Sequence, residues 1–293
     1  MFEDVRRNKL KTGIIVSIFI VVITLIIYYV CVYFELGTMS IVIALAVSIF
    51  SAWASYYSSD KIVLSLNRAR PATHEEDQKL VNILDALVVS SGLQYRPRLY
   101  VVDSAQPNAF ATGRNPQNAV ICVTTGLLNK LEYYELEGVI AHELAHIKNY
   151  DIRLSAVVSV MVGLVVMVAD WCTRAIFWGS RDRDREANPV IFVIGLVFLI
   201  ISPIFASLMQ LAISRRREYL ADATAIEFTR NPQGLISALE KLDSDTSTLD
   251  VANTSTAHMY ITNPFKKKKK SFSNLFSTHP PIEDRIKALN NIK

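Results

Sequence analysis

Ala141-His142-Glu143-Leu144-Ala145-His146 decides how the rest of the chain is read. On an α-helix, residues four apart share a face, so the imidazoles of His142 and His146 reach one point and can hold one metal ion. Glu143 stands beside that face, where a carboxylate can take a proton from a metal-activated water. The flanks predict the helix. Leu136, Val139, Ile140, Leu144 and Ile147 recur at three- and four-residue spacing, a stripe suited to a core. Asn129, with Glu132 three residues on, reads as a capping-box-like start. Glu132, Glu135 and Glu137 favour the positive end of the helix dipole, and Lys148 with Asn149 marks the stop. A helix this charged is not lipid-exposed, so the site is expected in water beside a membrane rather than inside it.

A membrane is indicated by the rest of the sequence. Of the 293 residues 51% are hydrophobic and the mean hydropathy is +0.26, high because of long apolar runs. Residues 13–34 carry no charge and can span a bilayer; the run is too long for a signal peptide and no small-x-small cleavage site follows. A second uncharged run, 39–57, ends in Trp53, Tyr56 and Tyr57, aromatics suited to an interface. Basic residues precede the first run (Arg6, Arg7, Lys9, Lys11) and follow the second (Lys61, Arg68, Arg70), which puts both outer flanks in the cytoplasm. A third run starts at Leu154 and meets Asp170 and Arg174, one turn apart and expected to pair at the interface. The fourth, 189–213, contains a kinking Pro203 and stops at Arg215-Arg216-Arg217. Arg181, Arg183 and Arg185 in the loop between them count against placing that loop outside.

The remaining totals exclude more than they assign. The formal charge of +4 is small and much of it sits in Lys266 to Lys270, so it gives no argument for nucleic acid. That lysine run could touch anionic headgroups. Cys31, Cys122 and Cys172 form no CxxC pair, which fits a reducing compartment. Between the spans, Thr73 and Glu76 open a helix to about Ser91, and residues 98–103, 108–113 and 119–125 read as strands of a small sheet. After the fourth run a helix covers 217 to about 228, residues 243–278 read as a mobile loop, and a short helix starts at Ile282. The expected fold class is α+β, mainly α, in four parts: 1–59 with two spans, 60–153 with the HExxH helix, a membrane hairpin at 154–213, and 214–293.

Two histidines leave a catalytic zinc one protein ligand short. Asn149 and Ile152 stand where a metzincin would need Gly and His, which excludes that class. The third apolar run offers no Glu. Asp151 faces away if the helix continues that far, and Asp170, Asp182, Asp184 and Glu186 belong to the hairpin or its far loop. Glu218 and Asp222 remain, four apart on one helix face. Glu218, with the longer reach, is assigned to the metal, and Asp222 to a hydrogen bond on a ligand histidine. His146 and Glu218 must then lie on one side of the membrane, so the chain between them crosses it an even number of times.

These residues carry a resemblance. Asn108-Ala109-Phe110-Ala111, the segment His142 to Ile147, Arg217-Glu218-Tyr219-Leu220-Ala221-Asp222 and Thr278-His279-Pro280-Pro281, in this order, resemble the HtpX-type membrane zinc metallopeptidases, relatives of the CAAX prenyl proteases. The resemblance implies a gluzincin-like cytoplasmic domain holding one zinc ion, multi-pass insertion in the cell membrane, and a role in quality control of membrane proteins. By the same resemblance His279 is the expected donor to the oxyanion. Asn108, Ala109 and Phe110 are expected at a sheet edge, where an extended polypeptide substrate can add as a strand. Two rivals stand beside this reading: a prenyl-peptide processing enzyme, and a membrane-anchored adaptor with a dead metal site.

Overall fold

The computed structural model describes residues 2–33, 37–75, 77–164, 215–247, 249, 255–262, 264 and 280–292. The fourth run, most of the third, the Asp170–Arg174 pair, the arginine loop, Glu76, Lys266 to Lys270 and His279 lie outside the described residues.

Two long helices come first, α1 (Phe2–Tyr33) and α2 (Ser40–Leu66). Both are long and apolar enough to cross a membrane, over Asn8–Tyr28 and Ser40–Leu66. Ile14, Val21, Leu25, Ile41 and Phe50 point outward, as lipid-facing side chains do. On their inner faces Ile15, Phe19 and Ala52 pack with Leu154, Val157, Val158 and Met161 of a helix over residues 151–164, here α6. The second helix runs past residue 59 and fastens its last turns to the sheet: Arg98 Nη2 lies 2.6 Å from Asp60 Oδ2, and Arg114 Nη1 donates to the Tyr57 carbonyl at 3.0 Å.

The sheet is small and mixed. Its order is β1-β2-β4-β3, with β1 at Arg70–Pro71, β2 at Arg98–Val102, β3 at Ala109–Thr112 and β4 at Val120–Thr124. β2 and β4 run parallel, with Leu99 opposite Ile121, and β3 lies antiparallel to β4 at the far edge, Phe110 opposite Cys122. The three longer strands fall within a residue or two of their predicted places, because short β-branched runs bounded by Pro, Asn and Gly leave little choice.

Around the sheet lie α3 (Gln78–Ser91), α4 (Thr125–Lys130), α5 (Tyr133–Lys148), α7 (Arg215–Thr229), α8 (Pro232–Ser244) and α9 (Ile282–Asn290). One core joins them: Leu80, Leu84, Ile121, Val139, Leu144, Ala225, Leu239 and Leu289 are all buried in it. α5 runs through the middle. Its Gly138 is required by α8: a Cβ there would sit 2.8 Å from the backbone nitrogen of Leu235. On the opposite face of the sheet Val63, Val102, Phe110, Cys122, Met259 and Tyr260 form a second buried cluster.

Four expectations shift. α3 starts at Gln78 behind Asp77, later than the expected opening at Thr73. The cap of α5 is Glu132, paired reciprocally with Glu135, and Asn129 belongs to α4. α8 has no counterpart in the sequence reading. Part of the expected mobile loop is ordered: residues 255–262 are buried against the edge of the sheet, with Ile261 N donating to Ala109 O at 3.0 Å.

Candidate metal centre

The HExxH turn lies on the buried length of α5, and α7 crosses it with Glu218 and Asp222 facing inward, each 2% exposed. Ala221 and Ala225 on α7 are fully buried, small enough to let the two helices approach. The donor atoms converge. His142 Nε2 and His146 Nε2 are 3.1 Å apart; Glu218 Oε2 lies 3.7 Å from the first and Oε1 3.8 Å from the second. His142, His146 and Glu218 are therefore placed to hold one metal ion.

The other nitrogen of each ring is fixed by a carboxylate. His142 Nδ1 lies 2.9 Å from Asp222 Oδ1, and His146 Nδ1 lies 2.9 Å from Asp151 Oδ2. This arrangement sets the tautomer, keeps Nε2 of each ring free to face the metal position, and raises ligand basicity. Asp222 is held in turn by Arg285 of α9, whose Nε and Nη2 donate to its two oxygens at 2.9 and 2.6 Å. Arg285 is fully buried, so the pair is a dry, bidentate ion pair. Burial alone would raise the Asp222 pKa; the Arg285 charge and the bonds from His142 and Arg285 instead hold it far below the ordinary range. Burial and the Arg285 charge oppose protonation of His142, yet its bonds to Asp222 and Glu218 lift it to about 9. The carboxylates thus make a site of negative potential that attracts a cation.

Glu143 shares a cavity with His146, Glu218, His258, Met259 and Ala111. It is 2% exposed, and its charge, after burial itself, helps push the Cys122 thiol of β4 well above its usual pKa. Cys122 is an inert core residue by that measure.

Edge strand β3 runs past this cavity. Asn108 is fully buried and bonded to the chain itself: its Nδ2 donates to Thr262 O at 2.9 Å and its Oδ1 accepts from Thr262 N at 3.2 Å. Ala109 O is taken by Ile261 N, and the Phe110 ring meets Tyr260 edge-on, centroids 5.0 Å apart. Ala111, which lines the cavity, lies two residues on from Ala109, so its backbone groups point, like those of Ala109, away from β4.

Sequence reasoning missed two residues. Asp151 was expected to face away on a continuing helix. Instead Tyr150 adopts φ +61°, the left-handed region, so α5 ends and Asp151 swings back onto His146. Arg285 left a signal: it falls between Ile282, Ile286 and Leu289 on the apolar stripe of α9, where a charge needs a buried partner.

Comparison with known proteins agrees with this geometry. The sequence profile described as Peptidase family M48 matches residues 74–293. "Protease HtpX homolog" of Dictyoglomus thermophilum is 45% identical over 98% of this chain and 93% of its own length. The proteins so described from Thermoanaerobacter pseudethanolicus and Listeria monocytogenes serotype 4a are 42% and 39% identical over the full chain, covering 98% and 100% of their own lengths. Among solved structures, S. mikatae Ste24p matches in fold with a TM-score of 0.50 at 21% identity; the match covers 99% of this chain and 66% of that one. With its His-His-Glu cluster and two candidate membrane helices, the chain belongs to peptidase family M48, as a membrane metalloprotease of the HtpX type.

Proposed function

We propose that the chain is a zinc endopeptidase that cleaves misfolded or damaged membrane proteins from the cytoplasmic side of the cell membrane. The observation that carries this reading is the convergence of His142, His146 and Glu218 with a carboxylate behind each imidazole. Two imidazole nitrogens and one carboxylate oxygen, with the rings fixed from behind, are a donor set that fits catalytic zinc and leaves one coordination position for water or substrate. Zinc held there supplies Lewis acidity, polarising a carbonyl and lowering the pKa of water.

The chain's own residues do the rest. Glu143 takes the proton of the attacking water and returns it to the leaving amine. Arg285 and Asp222 keep His142 oriented, and Asp151 does the same for His146. Ala111 offers its outward backbone groups to an extended substrate, with Asn108 and Ala109 upstream stabilising the edge through residues 261 and 262. Backbone pairing reads little side-chain identity, which suits substrates with no common sequence. The oxyanion takes a hydrogen bond from His279, the donor implied by resemblance; His258, which lines the cavity with Glu143, is the donor that the geometry adds. The two spans and a membrane hairpin between the ligand segments hold the centre near the bilayer surface.

Glu143→Gln in full-length protein, purified in detergent with zinc, is expected to lower cleavage of a misfolded membrane protein by about 10²- to 10⁴-fold while metal content stays unchanged. A wild type that binds zinc but cuts nothing would leave the adaptor reading. Preference for a prenylated CAAX peptide over the misfolded protein would move the assignment to prenyl-peptide processing.

A further inference from the structure

We propose that one anionic phospholipid binds in the cavity between α1, α2 and the start of α6, with its phosphate on Lys9 and Arg153. The cavity measures about 370 Å³, within the range of roughly 300–1,000 Å³ that holds small organic ligands. Its two ends differ in chemistry. Val16, Ile20, Ile49 and Ala52 line an apolar shaft between the candidate spans. Lys9, Arg153, Tyr56 and Trp53 line the end nearest the metal centre.

Both cations rest on aromatic rings there. Lys9 Nζ lies 4.7 Å from the Tyr150 ring centroid and Arg153 Cζ 5.2 Å from that of Tyr56. Among the described residues the lining holds no acidic side chain. The nearby carboxylate of Asp151 is already engaged by Asn8, His146 and Arg217. Arg153 Nε is buried with no hydrogen-bond acceptor among the described residues, and a buried N–H of a charged group left so is costly. Two positive charges and an orphaned donor at the mouth of an apolar shaft describe the complement of an amphiphile with an anionic head. A guanidinium pairs with phosphate through parallel N–H bonds, and interfacial aromatics sit at headgroup level. The space beside Gly13 in the lining is open: a Cβ at that position would meet nothing within 4 Å.

The location gives the ligand a role. Lys9 follows Asn8 and Arg153 follows Asp151 by two residues, and Asn8 Nδ2 donates to Asp151 Oδ1 at 2.7 Å. A phosphate across Lys9 and Arg153 clamps the same two helices that this bond joins, directly beside the carboxylate that orients His146.

Native mass spectrometry of the full-length protein in detergent tests this, titrating phosphatidylglycerol, phosphatidylcholine with the same acyl chains, and glycerol phosphate. One phosphatidylglycerol should stay on each chain, at least about tenfold tighter than phosphatidylcholine, and Lys9→Gln with Arg153→Gln should abolish that preference. Gly13→Phe, which fills the shaft and leaves both cations, should reduce retention of both lipids. Equal affinity for the two lipids, or an undiminished preference in the double variant, overturns the proposal. So does full displacement of phosphatidylglycerol by equimolar glycerol phosphate, which would mark a phosphate site without a lipid shaft. If the double variant fails to fold, Gly13→Phe decides: unchanged retention overturns the proposal, and loss supports it.

Discussion

The two histidines of the candidate metal centre are alike in sequence and unlike in what holds them. His142 is supported from the soluble core. Its carboxylate partner Asp222 is 2% exposed and balanced by a fully buried Arg285 from the last helix. His146 is supported from the membrane side. Its side chain is 13% exposed, and its partner Asp151 takes a hydrogen bond from Asn8 of α1 and lies 3.4 Å from Arg217 Nε at the start of α7. One ligand is fixed by a dry ion pair, the other by the junction of α1, α6 and α7. The centre is thus a seam between the soluble fold and the spans, and damage on the two sides should differ in kind.

The largest effect expected from breaking this comparison is at Arg285. Arg285→Ala leaves Asp222 as a buried charge without its guanidinium partner, and should cost about 3–5 kcal/mol of stability in denaturant unfolding. Adding Asp222→Asn should recover much of that loss, since the uncompensated charge goes with it. The matching change on the other side, Asp151→Asn, deprives only Arg217, which is partly exposed and 3.4 Å away, and should cost less stability. It should instead weaken metal binding about 10- to 100-fold, read by competition with a chelator. Asn8→Ala acts one step further out. It should weaken metal binding by roughly fivefold, the order expected for one lost hydrogen bond. An Asn8→Ala protein with unaltered metal affinity would separate α1 from the centre.

The smallest effect concerns a tie distant from both histidines. Burial pushes Glu135 up, but bonds from Lys241, Ser237 and the Glu132 backbone outweigh it and lower its pKa below 4.5. A depressed carboxylate contributes stability above its unfolded pKa and loses it as pH falls through the folded value. Wild type should therefore lose a little melting temperature below about pH 4.5 that Glu135→Gln does not, and little because the group is partly solvated.

The same contrast explains what could be read from sequence. His142, His146, Glu218 and Asp222 lie on helices whose period is visible, so shared faces followed from spacing alone, and the strands followed from short β-branched runs. Residues placed by the turns between elements did not. Asp151 depends on one left-handed residue, Tyr150, and nothing in its side chain announces that backbone state. The burial of residues 255–262 depends on pairing with β3 across a long stretch of polar sequence that carries no period of its own. Arg285 lay in between, a charge on an apolar stripe whose partner is distant in the chain. Asn108 was legible as part of an edge strand, while the engagement of its amide by Thr262 is a tertiary fact.

Metal content tests the central claim most directly. Full-length wild type, Glu143→Gln and Glu218→Ala would be purified side by side, dialysed against trace zinc and analysed for bound metal. One zinc per chain is expected in the first two, and its loss in Glu218→Ala, because the carboxylate of α7 completes the set begun by the two imidazoles of α5. A Glu218→Ala protein that keeps one zinc per chain with unchanged affinity would contradict the account.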